Sequence, residues 1–386
     1  MKKLYLDLRV VSSIPTAYLE NAKTLAQYSG ANTGNFAFRH ALRTLFDIGS
    51  YYPTNYPEFS RMIAIEQPDS VIVSCANWLC SSDQYEKSNG VRANTLEKID
   101  CPVISFGLGA QASSDSTELK LGPNTIRLAK VLAEKCNFIS VRDEFTHSAL
   151  NNIGITNAVV TGCPSNFINP NPSLGQEISA RANTLIETSP SWADIRAHFS
   201  EFSGGSKFSG TVLRATLRLL KQSPSFYVIQ SPVLLPFLLR ENNAIPAAYL
   251  SNKPSGIKDE NQLRKLLKSK LLHFSSIDAW LDFARTCDLS LGMRIHGNMI
   301  PLQAGVPSMV ITHDSRTSGL SNFMGIPTTT SEKLAGYANS PPSNIFEEIA
   351  TKMESYDKRR SELASVMVKY IEKNNLKANP EIINLC

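Results

Sequence analysis

The sequence predicts an α/β protein made of two Rossmann-like, doubly wound domains that face each other across a cleft. Short β-rich runs alternate with helical patterns twice along the chain, and a segment of weak periodicity separates the two alternations. The chain has 386 residues, which suits two domains of roughly 150 residues each. A long amphipathic pattern from Asn344 to Asn375 follows, and we expect it to form one long C-terminal helix that packs back across both domains.

The first domain is expected to span residues 1–169. Helical patterns begin after Gly34-Asn35, at Thr125 and at Glu144, and such helices return the chain so that successive strands run parallel. The predicted strands are Leu4 to Val11, Val71 to Ser74, Val103 to Phe106, Phe138 to Val141 and Ala158 to Thr161.

Residues 170–210 are expected to be a connection, because they contain several prolines, the pair Gly204-Gly205 and little periodicity. The second domain is expected to span residues 211–342, and residues 343–386 to form the C-terminal helix. The strands of the second domain are predicted at Phe226 to Gln230, Leu271 to Phe274, Leu289 to Leu291 and Ser308 to Ile311. Its helices are predicted at Glu260 to Lys270, at Ile277 to Arg285 and from Gly297.

The charge balance is mildly basic, with 39 Lys and Arg against 34 Asp and Glu. No run of basic residues resembles a nucleic-acid-binding stripe, so we expect no nucleic-acid partner and assign the excess charge to an anionic ligand. The seven cysteines form no Cys-x-x-Cys pair, which favours thiols in a reducing compartment over a metal site or a disulfide framework.

Two features bear on localisation. Asp7 and Arg9 interrupt the apolar run that follows Met1, so no signal peptide is predicted. The apolar stretch from Ser231 to Leu239 contains two prolines and is too short to span a membrane. We expect a cytoplasmic protein, with peripheral contact at the inner face of the membrane as an open alternative.

The most specific motif is Arg294-Ile295-His296-Gly297, which follows a predicted strand and opens a helix. Ligands of open α/β sheets bind at the carboxyl ends of the strands, and a helix N-terminus beside cationic side chains suits a phosphate or a carboxylate. His296 can also act as a general acid or base near neutral pH. The alternative interpretation is an ordinary hydrogen-bonded histidine at a helix start.

Two further arginines follow predicted strands. Arg142 lies after the strand that ends at Val141, so it takes the same crevice position in the first domain as Arg294 takes in the second. Its alternative interpretation is an ion pair with Asp143 or with a neighbouring carboxylate. Arg316 follows the strand that ends at Ile311, with a solvated loop arginine as the alternative, and the nearby His313 is interpreted as structural.

Glycine-containing loops are weaker signals. The Gly107 to Gln111 loop and the segment before Asn35 could let backbone amides approach a ligand, although neither is a dinucleotide fingerprint and the chain has no P-loop motif. The segment from Gly162 to Ser165 is interpreted as a turn, because Cys163 has no histidine near it in the sequence that could activate it as a nucleophile.

Together these motifs resemble the polysaccharide pyruvyl transferase family, over roughly Thr33 to Pro327. The most specific part is Arg-Ile-His-Gly followed by Ala-Gly-Val-Pro and Asp-Ser-Arg. The resemblance implies a GT-B-like fold and transfer of pyruvate from phosphoenolpyruvate onto a sugar as a cyclic ketal. It also implies that Arg142 and His296 are catalytic positions and that Arg316 lies where relatives often carry a lysine.

The chemistry of the donor fits these residues. Arginines can clamp the phosphate and carboxylate of phosphoenolpyruvate, so no metal or other cofactor is expected. Within this interpretation His296 either relays a proton or stabilises the departing phosphate. The donor site is predicted to consist of Arg142, Arg294, His296, Gly297 and Arg316.

The acceptor is expected to be a sugar or a lipid-linked oligosaccharide, whose identity the sequence leaves open. Candidate acceptor or loop contacts are Asn35, Arg39, Gly109 and Gln111; Asn35 stands where many relatives have an acidic residue. Two other functions remain open, a glycosyltransferase of the same fold that uses a nucleotide sugar and a sugar-binding member without catalysis. Three cationic residues in the crevice favour catalysis over the last.

Overall fold

The computed structural model describes residues 3–6, 12–48, 51–80, 82–111, 119–188, 190–203 and 209–386. Within these residues two six-stranded parallel sheets, flanked by helices, form two doubly wound units, as the sequence predicts. The strands of the first unit are β1 (Lys3–Leu6), β2 (Tyr51–Thr54), β3 (Ser70–Ser74), β4 (Leu79–Cys80), β5 (Val103–Leu108), β6 (Ala110–Gln111), β7 (Ile139–Val141) and β8 (Ala158–Val160). Its helices are α1 (Ala22–Ser29), α2 (Asn35–Leu45), α3 (Tyr56–Glu66), α4 (Asp83–Leu96), α5 (Pro123–Lys135) and α6 (Glu144–Asn151).

Helix α7 (Leu174–Glu187) leads from the first unit to the second. The strands of the second unit are β9 (Ala197–Ser200), β10 (Phe226–Ile229), β11 (Leu271–His273), β12 (Leu289–Gly292), β13 (Ser308–Thr312) and β14 (Thr328–Thr330). Its helices are α8 (Ser209–Gln222), α9 (Leu235–Leu238), α10 (Ala247–Ser251), α11 (Glu260–Lys270), α12 (Ile277–Ala284), α13 (Ile295–Gln303), α14 (Ser315–Met324) and α15 (Ser331–Tyr337). The chain ends with α16 (Ser343–Met353), α17 (Tyr356–Lys373) and α18 (Pro380–Ile383).

The strand order places the site. The first sheet runs β2-β1-β3-β5-β7-β8, and the short strands β4 and β6 pair beside it. The second sheet runs β11-β10-β9-β12-β13-β14, so the chain moves outward from β9 in one direction and from β12 in the other. The neighbouring strands β9 and β12 therefore flank the point where the order reverses, and the crevice for a ligand opens at their carboxyl ends.

Three sequence predictions are corrected or narrowed. Residues 170–210 are not only a connection, because β9 within them is a central strand of the second sheet. A central strand is expected to be a continuous apolar run, and the buried polar residues His198 and Ser200 interrupt that run in β9. The single C-terminal helix is two helices, α16 and α17, separated near Glu354; α16 packs mainly on α7, whereas α17 also contacts α14 and α18. The strand predicted from Leu4 to Val11 is β1, and residues 7–11 lie outside the described part of the chain.

Helix α17 fastens the chain segment that leaves the first unit. The guanidinium of Arg360, only 1% exposed, donates to the backbone carbonyls of Asn166 (2.9 Å), Asn171 (2.7 Å) and Asn169. Burial lowers the pKa of Arg360, and the three groups that accept its hydrogen bonds are neutral carbonyls. Three polar groups of the connecting segment thus depend on one side chain.

We expect Arg360→Met to lower the free energy of unfolding by about 3 kcal/mol, because each of the three carbonyls would lose its buried donor. Denaturant unfolding of the purified variant measures this loss. Arg359→Met is the matched control, since Arg359 is partly exposed on the same helix and should matter by less than about 1 kcal/mol. Equal losses in the two variants would contradict the assignment.

Candidate active site

A cavity lies between the two units, at the carboxyl ends of β9, β10 and β12. It has about 40 Å³ of free space. Among the described residues that line it are two arginines and two histidines, and none of these lining residues is acidic. The lining residues are Asn32, Arg142, Ser203, Gln230, Met293, Arg294, Ile295, His296, His313 and Leu320. The local charge therefore favours an anionic ligand.

Arg142 enters the cavity from the first unit, directly after β7. Its side chain is 3% exposed and donates to Asn77 Oδ1 at 3.3 Å and to the carbonyl of Cys75 at 3.1 Å. Both acceptors are neutral, and no described residue accepts a hydrogen bond from its buried Nε. Asp143 instead caps α6 by accepting from the Thr146 amide at 2.8 Å. The alternative interpretation of Arg142 as the ion-pair partner of Asp143 is thus wrong.

The ring of Phe38 on α2 connects the cationic groups of the two units. The Arg142 guanidinium carbon lies 4.9 Å from the centre of this ring, and the His296 ring centre lies 5.7 Å from it. Phe38 is buried, so it holds both side chains against one rigid apolar surface. Arg142 and His296 are therefore neighbours across the cleft, although they come from different sheets.

Arg294 precedes α13 and lies opposite a buried carboxylate. Its Nη2 is 3.8 Å from Glu201 Oε2, and no described residue accepts from its buried Nε. Glu201 follows β9, is 2% exposed and also accepts from the backbone amides of Gln230 and Ser231 at 3.0 and 2.7 Å. A carboxylate fixed in this way orients Arg294 while leaving part of its guanidinium for a ligand.

His296 lies in the first turn of α13, and its Nε2 is 3.5 Å from the sulfur of Cys163. The thiol also contacts Ser165 Oγ at 3.2 Å. The predicted turn at this point is a single turn of 3₁₀ helix, Pro164–Phe167. Cys163 has no histidine near it in the sequence, but the fold brings His296, 133 residues further along the chain, into contact with it at the cleft.

Helices α2, α6, α13 and α14 all begin beside residues that line the cavity. Helices α6 and α14 are capped by the side chains of Asp143 and Asp314. The N-cap residues of α2 and α13, Gly34 and Arg294, make no side-chain capping bond. The first amides of α2 already donate to nearby backbone carbonyls, for example Asn35 to Asn32 at 3.0 Å, so the positive end of α13 is the one that suits a ligand.

A buried network behind the cavity holds the start of α13 in place. Trp280 Nε1 donates to His198 Nε2 at 2.9 Å, and His198 Nδ1 lies 3.2 Å from Ser290 Oγ. Ser290 donates to Asn298 Oδ1 at 3.0 Å, and Asn298 Nδ2 donates to the carbonyl of Arg294 at 2.8 Å. Because Nε2 accepts from an indole N–H, His198 must be neutral, and burial lowers its pKa to about 3.

We expect the free energy of unfolding to fall steeply below about pH 6.5, the ordinary pKa of histidine. Burial lowers the pKa of His198 to about 3 and that of His273 to about 4, so between these values and 6.5 only the unfolded chain binds the proton. Stability from each is present above pH 6.5 and is lost by about 1.4 kcal/mol per pH unit as the pH falls toward the folded pKa.

Denaturant unfolding at several pH values from 7.5 to 4.5 measures this slope. In His198→Gln the slope should be shallower by about one proton, that is by about 1.4 kcal/mol per pH unit. His147→Gln, which removes a partly exposed histidine on α6, should leave the slope unchanged. A wild-type slope in His198→Gln would mean that His198 takes up a proton in the folded state.

The sequence profile of the polysaccharide pyruvyl transferase family matches residues 9–315. The chain belongs to this family. The resemblance carried by the cleft motifs is thus confirmed. A comparison with curated proteins gives no significant match.

Solved structures similar to this pyruvyl transferase family member share its fold at low identity. HepE of Anabaena, solved in complex with UDP and glucose, is 13% identical, with 97% of this chain and 99% of that chain covered and a TM-score of 0.51. The UDP complex of MnaA from S. aureus is 12% identical, with 98% and 99% covered and a TM-score of 0.46. At 13% identity the likeness to HepE concerns the fold alone, which is GT-B-like, as predicted.

Three of the five residues predicted to bind the donor in this pyruvyl transferase family member line the same cavity. Arg142, Arg294 and His296 line the cavity, and Gly297 is buried behind them in the first turn of α13. Arg316 is in the first turn of α14, and its side chain lies outside the described part of the structure.

The predicted acceptor contacts are more scattered. Gly109 lies beside Arg142, because a Cβ added to it would be 3.4 Å from Arg142 Cδ. Arg39 is buried on α2, with its guanidinium carbon 5.5 Å from the Phe38 ring centre. Asn35 donates to the carbonyl of Ser29, and neither it nor Gln111 lines the cavity. Their contact with an acceptor stays a prediction.

Sequence reasoning missed several cavity residues. His313, interpreted as structural, lines the cavity while its Nε2 lies 3.5 Å from Asp314 Oδ2. Asn32 and Gln230 line it as well. A polar residue directly after a buried strand was an available signal for Gln230, as it was for Arg142.

In the described part of the chain, no group of three or more His, Cys, Asp or Glu side chains is arranged to hold a metal ion. No helix there has both the length and the apolar character needed to cross a membrane.

Proposed function

We propose that the protein transfers the enolpyruvyl group of phosphoenolpyruvate onto two hydroxyls of a sugar, forming a cyclic ketal and releasing phosphate. The observation that carries the proposal is the cavity itself, whose charged lining side chains are basic and which lies beside the N-terminus of α13, where no side chain forms a cap. Family membership supports a pyruvyl transferase. The proposed acceptor is a sugar within a glycan or within a lipid-linked glycan precursor. Only a lipid-linked acceptor would require the protein to contact the membrane.

The donor would be held by arginines from both units. Arg142 and Arg294 each have a buried Nε without a described partner, so both can donate to the phosphate and carboxylate of phosphoenolpyruvate. The phosphate would accept from the amides of the first turn of α13. The free space of about 40 Å³ holds one or two water molecules, so the larger donor enters only when cleft residues move apart.

Ketal formation needs a proton on the methylene carbon of the donor. Arginines keep their protons at neutral pH, whereas His296 lines the cavity and carries an imidazole, the side chain best suited to exchange a proton in this range. His313 is already engaged by the carboxylate of Asp314. We therefore assign the proton transfer to His296, with the Cys163 thiol fixing its Nε2 side.

Protonation of the methylene carbon makes the adjacent carbon electrophilic, and the first sugar hydroxyl adds to it while its own proton returns to His296. The carbon–oxygen bond to phosphate then breaks, and the second hydroxyl adds to the same carbon. The second hydroxyl proton leaves with the phosphate, so one donor and one diol give one ketal and one phosphate.

The testing experiment measures phosphate release from phosphoenolpyruvate with methyl galactosides, glucosides and mannosides as acceptors, and mass spectrometry of the products. Acceptor-dependent release, with a product heavier by one pyruvate ketal, is the expected result. The assignment would be overturned if no phosphate were released with any acceptor and phosphoenolpyruvate also failed to stabilise the protein against heat. Turnover of a nucleotide sugar in place of phosphoenolpyruvate would instead identify a glycosyltransferase, and glycoside binding without turnover a sugar-binding protein.

A further inference from the structure

Gln230 is the most unusual polar residue of the cavity. It follows β10, lines the cavity and is only 2% exposed. No described residue makes a hydrogen bond with its Nε2 or its Oε1. Buried carboxamides in native proteins are nearly always hydrogen-bonded, so an unpaired one that faces a cavity calls for a ligand.

The surroundings of Gln230 fix its position without satisfying its side chain. Its backbone amide donates to Glu201 at 3.0 Å, and its carbonyl accepts from the Thr33 amide at 3.1 Å. A Cβ on Gly34 would lie 2.6 Å from Oε1, and a Cβ on Gly297 would lie 2.5 Å from Nε2. The two glycines thus make room for the carboxamide between the first turns of α2 and α13.

The chemistry of the carboxamide indicates which ligand it takes. An anion only accepts hydrogen bonds, so it would pair with Nε2 and repel Oε1. A hydroxyl both donates and accepts, and it can therefore satisfy both atoms. Asn32 also lines the cavity, and because its Oδ1 already accepts from the Gly34 amide at 3.0 Å, we assign its Nδ2 as the group that donates to a ligand.

We propose that Gln230, with Asn32, binds the hydroxyls of the sugar acceptor beside the arginine clamp for the donor. This inference rests on the proposed function. The two amides lie next to the proton-transferring group, since a Cβ on Gly34 would be 2.6 Å from Gln230 Oε1 and 3.0 Å from His296 Cβ. A hydroxyl that donates to Oε1 is oriented with a lone pair available for the donor carbon.

The test compares Gln230→Met, which keeps the length of the side chain without its polar atoms, with the wild type. The KM for the methyl glycoside that supports turnover should rise about tenfold or more, because the site would lose the group that pairs with the hydroxyl. The concentration of phosphoenolpyruvate needed for half-maximal thermal stabilisation, without acceptor, should stay within about threefold. Gln27→Met, at an exposed glutamine of α1, is the control and should change neither value.

Stability gives a second readout. The carboxamide makes no hydrogen bond within the described residues, so Gln230→Met should unfold at the same temperature as the wild type or higher. Unfolding of both Gln230→Met and Gln230→Ala would mark the amide as structural and overturn the proposal. An unchanged acceptor KM, or a loss confined to phosphoenolpyruvate binding, would overturn it as well.

The failure of the proposed function is separable from the failure of this inference. Saturation-transfer NMR with the methyl glycosides, in the absence of phosphoenolpyruvate, reports sugar binding whatever the reaction is. Sugar binding that is lost in Gln230→Met supports the acceptor subsite even if phosphoenolpyruvate proves not to be the donor. Sugar binding that persists in the variant rejects the subsite alone.

Discussion

Arg142→Met is expected to lower kcat/KM for phosphoenolpyruvate by about 10²- to 10³-fold, since hydrogen bonds from a charged donor to an anion are the strongest that a site offers. The buried guanidinium has only neutral partners among the described residues, so its charge is available to the donor. The apolar stem of methionine can keep packing on Phe38. We therefore expect the variant to fold with an unchanged or higher unfolding temperature, because it no longer buries a charge.

Two further variants sharpen this prediction. Arg92→Met is the matched control, since Arg92 on α4 also lies over an aromatic ring, 4.6 Å from the centre of Trp78, but outside the cavity. It should keep wild-type kinetics. Arg142→Lys should recover only part of the activity, because an ammonium cannot make the paired hydrogen bonds of a guanidinium. Wild-type kcat/KM in Arg142→Met would exclude Arg142 from the donor site.

His296→Gln is expected to lower kcat by about 10²- to 10⁴-fold, the usual contribution of a general acid. Stabilisation of the protein by phosphoenolpyruvate should persist, since Arg142 and Arg294 remain in the cavity. The limb of the pH–rate profile that belongs to the proton donor should disappear in the variant. Steady-state kinetics from pH 5.5 to 8.5, together with thermal shifts, measures both effects.

The control for this variant is His147→Gln, which changes a histidine of α6 that pairs with Glu144 outside the cavity. Its kinetics should match the wild type. A His296→Gln variant with normal kcat and weak phosphoenolpyruvate binding would assign His296 to phosphate binding instead. The same measurement therefore decides between the two roles that the sequence leaves open.

Much of the proposed donor site follows from the sequence because it depends on local pattern. A cationic residue directly after a buried parallel strand must lie at the sheet edge where ligands bind, and Arg142 and Arg294 do lie at the cavity there. The proposed acceptor site does not follow from such a pattern. Gln230 obeys the same rule, yet a neutral amide at a strand end looks like an ordinary loop residue in sequence. Strand β9 was missed because its inward-facing His198 and Ser200 are polar.

The sequence by itself determined the two doubly wound units, the strand ends that carry Arg142 and Arg294, and the family, since periodicity and motif spacing are properties of short segments. Only the tertiary structure decided that Phe38 holds Arg142 beside His296 and that Cys163 meets His296. The physical reason is that these contacts join segments of different sheets. They depend on how helix α2 packs between the two units, and residue spacing along the chain does not predict that packing.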